Sequence, residues 1–201
     1  MKKAVIAILM VILLTGCWDR LPLKTLSMVD MAGIDLDKEN GDVLLHYIVT
    51  ELKNVGQGSG DPSSKVTELK GQSLIEAVGE GEYTEKGPFL GIHTGIYLLS
   101  KSFAPVDPVK ELSFVLNAPY TAINSPVVIL DGNMSKIFKS KIGTNKKFTG
   151  DLNEFVTSLE KHGIAPNVSL MNLILSRKDP LECIAVPLLK QYNSSMVLGG
   201  A

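Results

Sequence analysis

Twelve consecutive uncharged residues, Ala4 to Thr15 (AVIAILMVILLT), follow Met1-Lys2-Lys3 at the start of the chain. This run constrains the chain more than any other feature, because it must be housed away from water. As an α-helix it spans about 18 Å, well short of the roughly 30 Å hydrocarbon core of a bilayer. A basic start, a short apolar run and small residues after it are the anatomy of an export signal rather than of a permanent membrane span. The folding domain must come from the residues that follow, outside the cytoplasm.

Leu14-Thr15-Gly16-Cys17 follows the apolar run directly. An aliphatic residue, two small residues and a cysteine look like a lipobox. Small residues let a peptidase reach the backbone at the bilayer face, and the cysteine sulfur is the atom that becomes a thioether to diacylglycerol. Residues 1–16 are therefore expected to be a lipoprotein signal peptide, with the mature chain starting at a lipidated Cys17. One acyl chain anchors only marginally, whereas two anchor stably. Lys2 and Lys3 leave with the signal, so a formal charge of −1, from 20 basic and 21 acidic residues, becomes −3. Such a body has little charge attraction to lipid headgroups, which leaves the anchor to the acyl chains. With Cys17 lipidated, Cys183 has no intramolecular partner. Its setting, Cys183-Ile184-Ala185-Val186, reads as buried and apolar.

The remainder is ordinary globular sequence, 45 % hydrophobic and 20 % charged. Collagen-like, coiled-coil and disordered classes are excluded, as are disulfide scaffolds and multi-cysteine zinc modules. The near-neutral charge gives no footprint for nucleic acid.

Leu26 to Ile34 reads as a strand in which Asp30 breaks the alternation, and Val43 to Leu52 as its antiparallel return across an Asn40-Gly41 turn. Lys53 to Ser64 (KNVGQGSGDPSS) reads as a loop, and Val66 to Leu69 as a short strand. Ser73 and Glu76 form a capping box ahead of an amphipathic helix. Phe89 to Leu99 reads as one strand. Asp107-Pro108 caps a second helix, Pro126 to Leu130 is an apolar strand, and Asn133 caps a brief helix with Met134, Ile137 and Phe138 inward. Asp151 and Glu154 are expected to cap the next helix, which closes at His162-Gly163. Pro166-Asn167 opens another. Leu181 to Val186 and Ser195 to Leu198 read as strands. Hairpin strands mixed with amphipathic helices, without a strict βαβ rhythm, predict an α+β fold: a mixed, largely antiparallel sheet with packed amphipathic helices.

No catalytic, cofactor-binding or metal motif assembles. His46, His93 and His162 are isolated and read as structural. Asp35-x-Asp37-x-Glu39 starts like a calcium loop, but Asn40 stands where glycine is needed and His46 where a bidentate glutamate is needed. Gly56-Gln57-Gly58-Ser59-Gly60 fits no phosphate-binding pattern. Lys136, Lys139, Lys141, Lys146 and Lys147 read as a solvated face, with contact to a partner or an anionic headgroup as the alternative.

Cys17-Trp18-Asp19-Arg20, followed by Leu26, Val29 and Gly33-Ile34-Asp35, resembles the start of the Ger(x)C family, the lipoprotein C subunits of spore germinant receptors. Gly71-Gln72-Ser73-Leu74-Ile75-Glu76-Ala77 is similar to that family's glycine-led first helix. The stretch carrying Gly91, His93, Ile96, Leu98 and Leu99 is similar to its Gly-His strand, here with Ile92 between the pair. Val127 to Leu130 with Ile137-Phe138 resembles its next strand and helix. Met196-Val197-Leu198-Gly199-Gly200-Ala201 resembles the start of a strand that continues in longer members. Residues 17–201 are thus expected to be the N-terminal domain, with 181–201 the start of a following region.

The resemblance implies a non-enzymatic subunit with no cofactor, anchored by lipid at the outer face of the spore inner membrane. Its implied partners are the membrane-embedded A and B subunits of a nutrient germinant receptor, and no nucleic acid. The other reading of the residues is a stand-alone small-ligand-binding lipoprotein of the cell envelope.

Overall fold

The computed structural model describes residues 27–51, 63–84, 89–117, 121–144, 147–176, 184–193 and 195–200. The lipobox, Gly56–Gly60, Lys146 and Cys183 lie outside these residues. No helix among the described residues is long and apolar enough to cross a membrane.

β1 (Ser27–Leu36) and β2 (Val43–Glu51) form the expected hairpin. Gly41 supplies the positive φ of the turn, 75°, which a residue with a Cβ adopts at a cost. β3 (Ser63–Gly71) adds antiparallel to β2 and begins earlier than expected. The break at Asp30 is a β-bulge: Val29 pairs with Val49 and Met31 with Ile48, leaving Asp30 between them. The extra residue turns Val29 to the same face as Ala32 and Ile34, as a bulge does.

α1 (Leu74–Thr84) starts at the expected box, with the Glu76 amide donating to Ser73 Oγ at 3.3 Å. The Glu76 carboxylate reaches back one residue further, accepting from the Gln72 amide at 2.8 Å. The Phe89–Leu99 strand is interrupted. β4 (Phe89–Leu90) pairs with the start of β1, a 3-10 turn spans Gly91–His93, and β5 (Ile96–Ser100) then runs parallel to β1. Gly95 is where the chain returns, its amide donating to the Asp30 carbonyl at the bulge (2.8 Å).

α2 (Pro108–Leu112) is capped by Asp107, continues as a 3-10 turn over Ser113–Asn117, and leads to β6 (Val127–Asp131). α3 (Met134–Thr144) is capped by Asn133 Oδ1, which accepts from the Lys136 amide at 2.7 Å. α4 (Phe148–Lys161) starts before Asp151, so Asp151 sits within its first turn rather than at the cap. There its charge still favours the helix dipole. α5 (Leu170–Ser176) begins later than Pro166-Asn167, because Ser169 is held in a bridge to Pro126. The chain then enters β7 (Leu188–Tyr192), later than Leu181–Val186, and returns as β8 (Ser195–Gly200).

The sheet order is β3-β2-β1-β5-β6-β7-β8, with β4 beside β1. The outer pairs are antiparallel, and the central strands β1, β5, β6 and β7 run parallel. Most paired positions are antiparallel, so the fold is the expected α+β arrangement of a mixed sheet and amphipathic helices. Helices cover both faces. Leu74, Ala77, Leu112, Leu173 and Ile174 pack one face around Phe103, Ile34 and Leu45. Met134, Ile137, Phe138, Leu152 and Val156 pack the other, over Met31, Ile96, Leu98 and Val128. Phe103 and Phe138 are fully buried, each contributing about 1.5–3 kcal/mol by burial.

Candidate functional site

β1, β5 and β6 are parallel, so their carboxyl ends meet at one edge of the sheet. In open sheets with parallel strands, ligands bind in the crevice beyond those ends. A cavity of about 800 Å³ opens there, lined by Asp35 and Lys38 from the end of β1, Ser100–Ser102 after β5, and Asp131–Asn133 between β6 and α3.

Each apolar central strand ends in polar residues at this edge. Ser102 Oγ donates to Asp35 Oδ1 at 2.9 Å, and the Leu36 amide donates to the same oxygen at 2.8 Å. Ser100 Oγ lies 2.9 Å from Ser102 Oγ and accepts from the Phe103 amide at 3.0 Å. Asp35 is thereby fixed across two strands. On the far rim Lys101 Nζ pairs with Asp131 at 3.2 Å, and Lys190 stands 3.9 Å from the same carboxylate. The lining offers both signs of charge, two hydroxyls and the start of α3.

Gly33-Ile34-Asp35 acquires a separate reason at each position. Gly33 lies under Met134 and Phe138 of α3, where a Cβ would be 2.9 Å from Phe138 Cζ. Ile34 fills the opposite face. Asp35 reaches the crevice.

Asp35, Asp37 and Glu39 do not converge as a cation site. The Asp37 amide donates to the Asp42 carbonyl at 2.8 Å, closing the turn. Hydrogen bonds from the Glu39 amide and from Lys70 hold the Asp37 carboxyl below its usual range. Lys70 bridges Asp37 and Asp42 at 3.0 and 3.1 Å. Among the described residues no three His, Cys, Asp or Glu side chains converge as a metal site.

The histidines take different positions. His46 is 3 % exposed, opposite Gly33 on β1 and Glu68 on β3. Its Nδ1 is 3.2 Å from Glu68 Oε1 but poorly aligned for a hydrogen bond, and the Phe138 ring meets it edge-on. Burial pushes the His46 pKa down, against the pull of Glu68 and Asp35. Burial works the other way on Glu68, but hydrogen bonds from Lys139 and Ser135 prevail and hold its pKa low. His93 lies in the 3-10 turn rather than in a strand. His162 ends α4, its Nδ1 2.7 Å from the Ser158 carbonyl. In the lysine cluster, Lys139 is committed to Glu68 at 2.8 Å, and Lys141 and Lys147 are also engaged.

Ser100 follows the strand that carries the family resemblance, whereas Lys101, Ser102 and Asp131 escape the sequence reading because each is ordinary alone. Their signal is positional: Ile96–Leu99 runs into Ser-Lys-Ser, and Val127–Leu130 into Asp-Gly-Asn.

A family model described as "Spore germination protein N-terminal domain" matches residues 19–191. The crevice-bearing mixed sheet is therefore an N-terminal domain of the spore germination protein class, and the chain belongs to that family. It is 30 % identical over 125 residues to spore germination protein KC of Bacillus subtilis (strain 168), which covers 58 % of this chain and 30 % of that protein. It is 29 % identical over 92 residues to spore germination protein A3 of the same organism, covering 45 % and 24 %. The matches thus span less than a third of either relative's own length. No solved structure matches the chain.

Proposed function

We propose that this chain is a lipid-anchored, non-catalytic subunit of a nutrient germinant receptor acting in spore germination. The observation that carries the reading is continuity. The family match begins at residue 19, two positions after Cys17 of the lipobox. The diacylglyceryl group on Cys17 holds the domain at the outer face of the spore inner membrane. The domain contributes docking surface to the membrane-embedded A and B subunits, and the strand-end crevice is the surface assigned to that role. Deleting residues 17–201 is expected to impair germination in response to a nutrient while leaving non-nutrient triggers intact. An unchanged nutrient response would remove this reading. Palmitate labelling is expected to disappear in Cys17→Ala, and undiminished labelling would remove the anchor.

The cavity supports a second reading, a stand-alone small-ligand-binding lipoprotein, because its volume falls in the range of ligand pockets. A thermal shift of the purified domain with a nutrient panel separates the two. A compound that raises Tm favours independent binding.

A further inference from the structure

We infer that the end of the domain where β1 begins faces the lipid surface, with the Tyr83 ring in the headgroup region. The inference rests on the Cys17 anchor proposed above and extends it to orientation.

Tyr83 is 92 % exposed, more than any other large hydrophobic side chain among the described residues. Its place in the fold is set by its neighbours. Ser27, the first residue of β1, pairs with Phe89 of β4. Phe89 packs against α1 at Gly81, where a Cβ would stand 3.2 Å from the ring. Tyr83 follows two residues later in the last turn of α1. The point where the chain enters the sheet and the exposed tyrosine therefore share one pole. The half-buried Phe89 and Leu90 lie there too.

Chain length decides which pole meets the membrane. Ser27 lies ten positions after Cys17, with nine residues between them. Ten steps of chain reach at most about 35 Å at full extension. β1 runs from Ser27 to Leu36, about 30 Å at the rise of a strand. With the crevice pole against the bilayer, Ser27 would be held about that far from the surface, close to full extension and at a large entropic cost. With the β1 entry pole against the bilayer the tether needs no stretching. Tyrosine suits that position, since its ring is apolar and its hydroxyl hydrogen-bonds at headgroup depth. Glu80, exposed one turn earlier on α1, disfavours an anionic surface, so a zwitterionic lipid is the appropriate probe. The crevice at the carboxyl ends of the strands then stands about 30 Å from the bilayer, where it meets the parts of a receptor partner that project beyond the lipid surface.

The test uses the mature lipidated protein in phosphatidylcholine vesicles. Trp18 is the only tryptophan, so Trp18→Phe gives a dark background for Tyr83→Trp or, at the crevice, Lys38→Trp. Fluorescence quenching by lipids brominated near the headgroup is compared between the two. Quenching several-fold stronger at position 83 is expected. Equal quenching, stronger quenching at position 38, or none at position 83 in vesicle-bound protein overturns the inference. Absence of the diacylglyceryl mass on Cys17 overturns the anchor instead. A maleimide lipid coupled to Cys17 in a Cys183→Ser background then supplies the same tether, and the quenching comparison still decides the orientation.

Discussion

Gly33 lies directly beneath Met134, so close that no side chain fits between β1 and α3. Met134 and Phe138 are themselves fully buried and have no solvent to retreat into. Gly33→Ala is therefore expected to overpack this contact and to destabilise the domain by about 1–3 kcal/mol. Urea unfolding of residues 18–201 measures it, and a change under about 0.5 kcal/mol would show that α3 can give way.

Acidification should weaken the domain through His46. Its folded pKa is depressed by burial, so the unfolded chain takes up the proton first as pH falls below about 6.5, the ordinary histidine value. The stabilisation is full above that value and is lost as pH falls toward the folded pKa. Of the charges facing the ring, Glu68 and Asp35 limit the depression without reversing it, and Lys139 adds to it. Urea midpoints at pH 7.5 and 5.5 should fall further in the wild type than in His46→Gln. Equal slopes would mean that the ring titrates alike folded and unfolded.

Asn133 joins the crevice wall to the start of α3. Losing its bond to the Lys136 amide in Asn133→Ala should cost about 1 kcal/mol, the usual worth of a helix cap. Asn133→Ser should recover most of it. Thermal unfolding of the three proteins side by side gives the comparison.

Lys101 tests the crevice as a docking surface. Its pair with Asp131 is solvent-exposed, so Lys101→Glu should alter stability by no more than about 1 kcal/mol. The sign of the rim changes, however, and nutrient-triggered germination should slow while the lipoprotein remains at wild-type level by immunoblot. A normal nutrient response would take this rim out of the docking surface.

Local patterns with a local cause were legible in the sequence. The Asn40-Gly41 hairpin, the Ser73, Asp107 and Asn133 caps and the inward Met134, Ile137 and Phe138 depend on residues at most a turn or two apart, and each appears where expected. Elements whose limits depend on distant chain were misjudged. Phe89–Leu99 has the composition of one strand, but the bulge at Asp30 takes the Gly95 amide and lets only Ile96–Ser100 run along β1. α5 starts late because Ser169 is bridged to Pro126, more than forty residues away in sequence.

The sequence by itself determined the composition class, the α+β pattern, the absence of a recognisable catalytic motif, and the family resemblance carried by Cys17 to Arg20 and by Gly33 to Asp35. Those properties are written in residue type and short spacing. Only the tertiary structure decided that Asp35, Ser102, Lys101 and Asp131 share one crevice. Parallel pairing of β1, β5 and β6 sets three carboxyl ends side by side, and pairing between segments some thirty to seventy residues apart leaves no periodicity in sequence. The same holds for Gly33. Its need for bare backbone comes from a helix one hundred residues later, and only packing shows it.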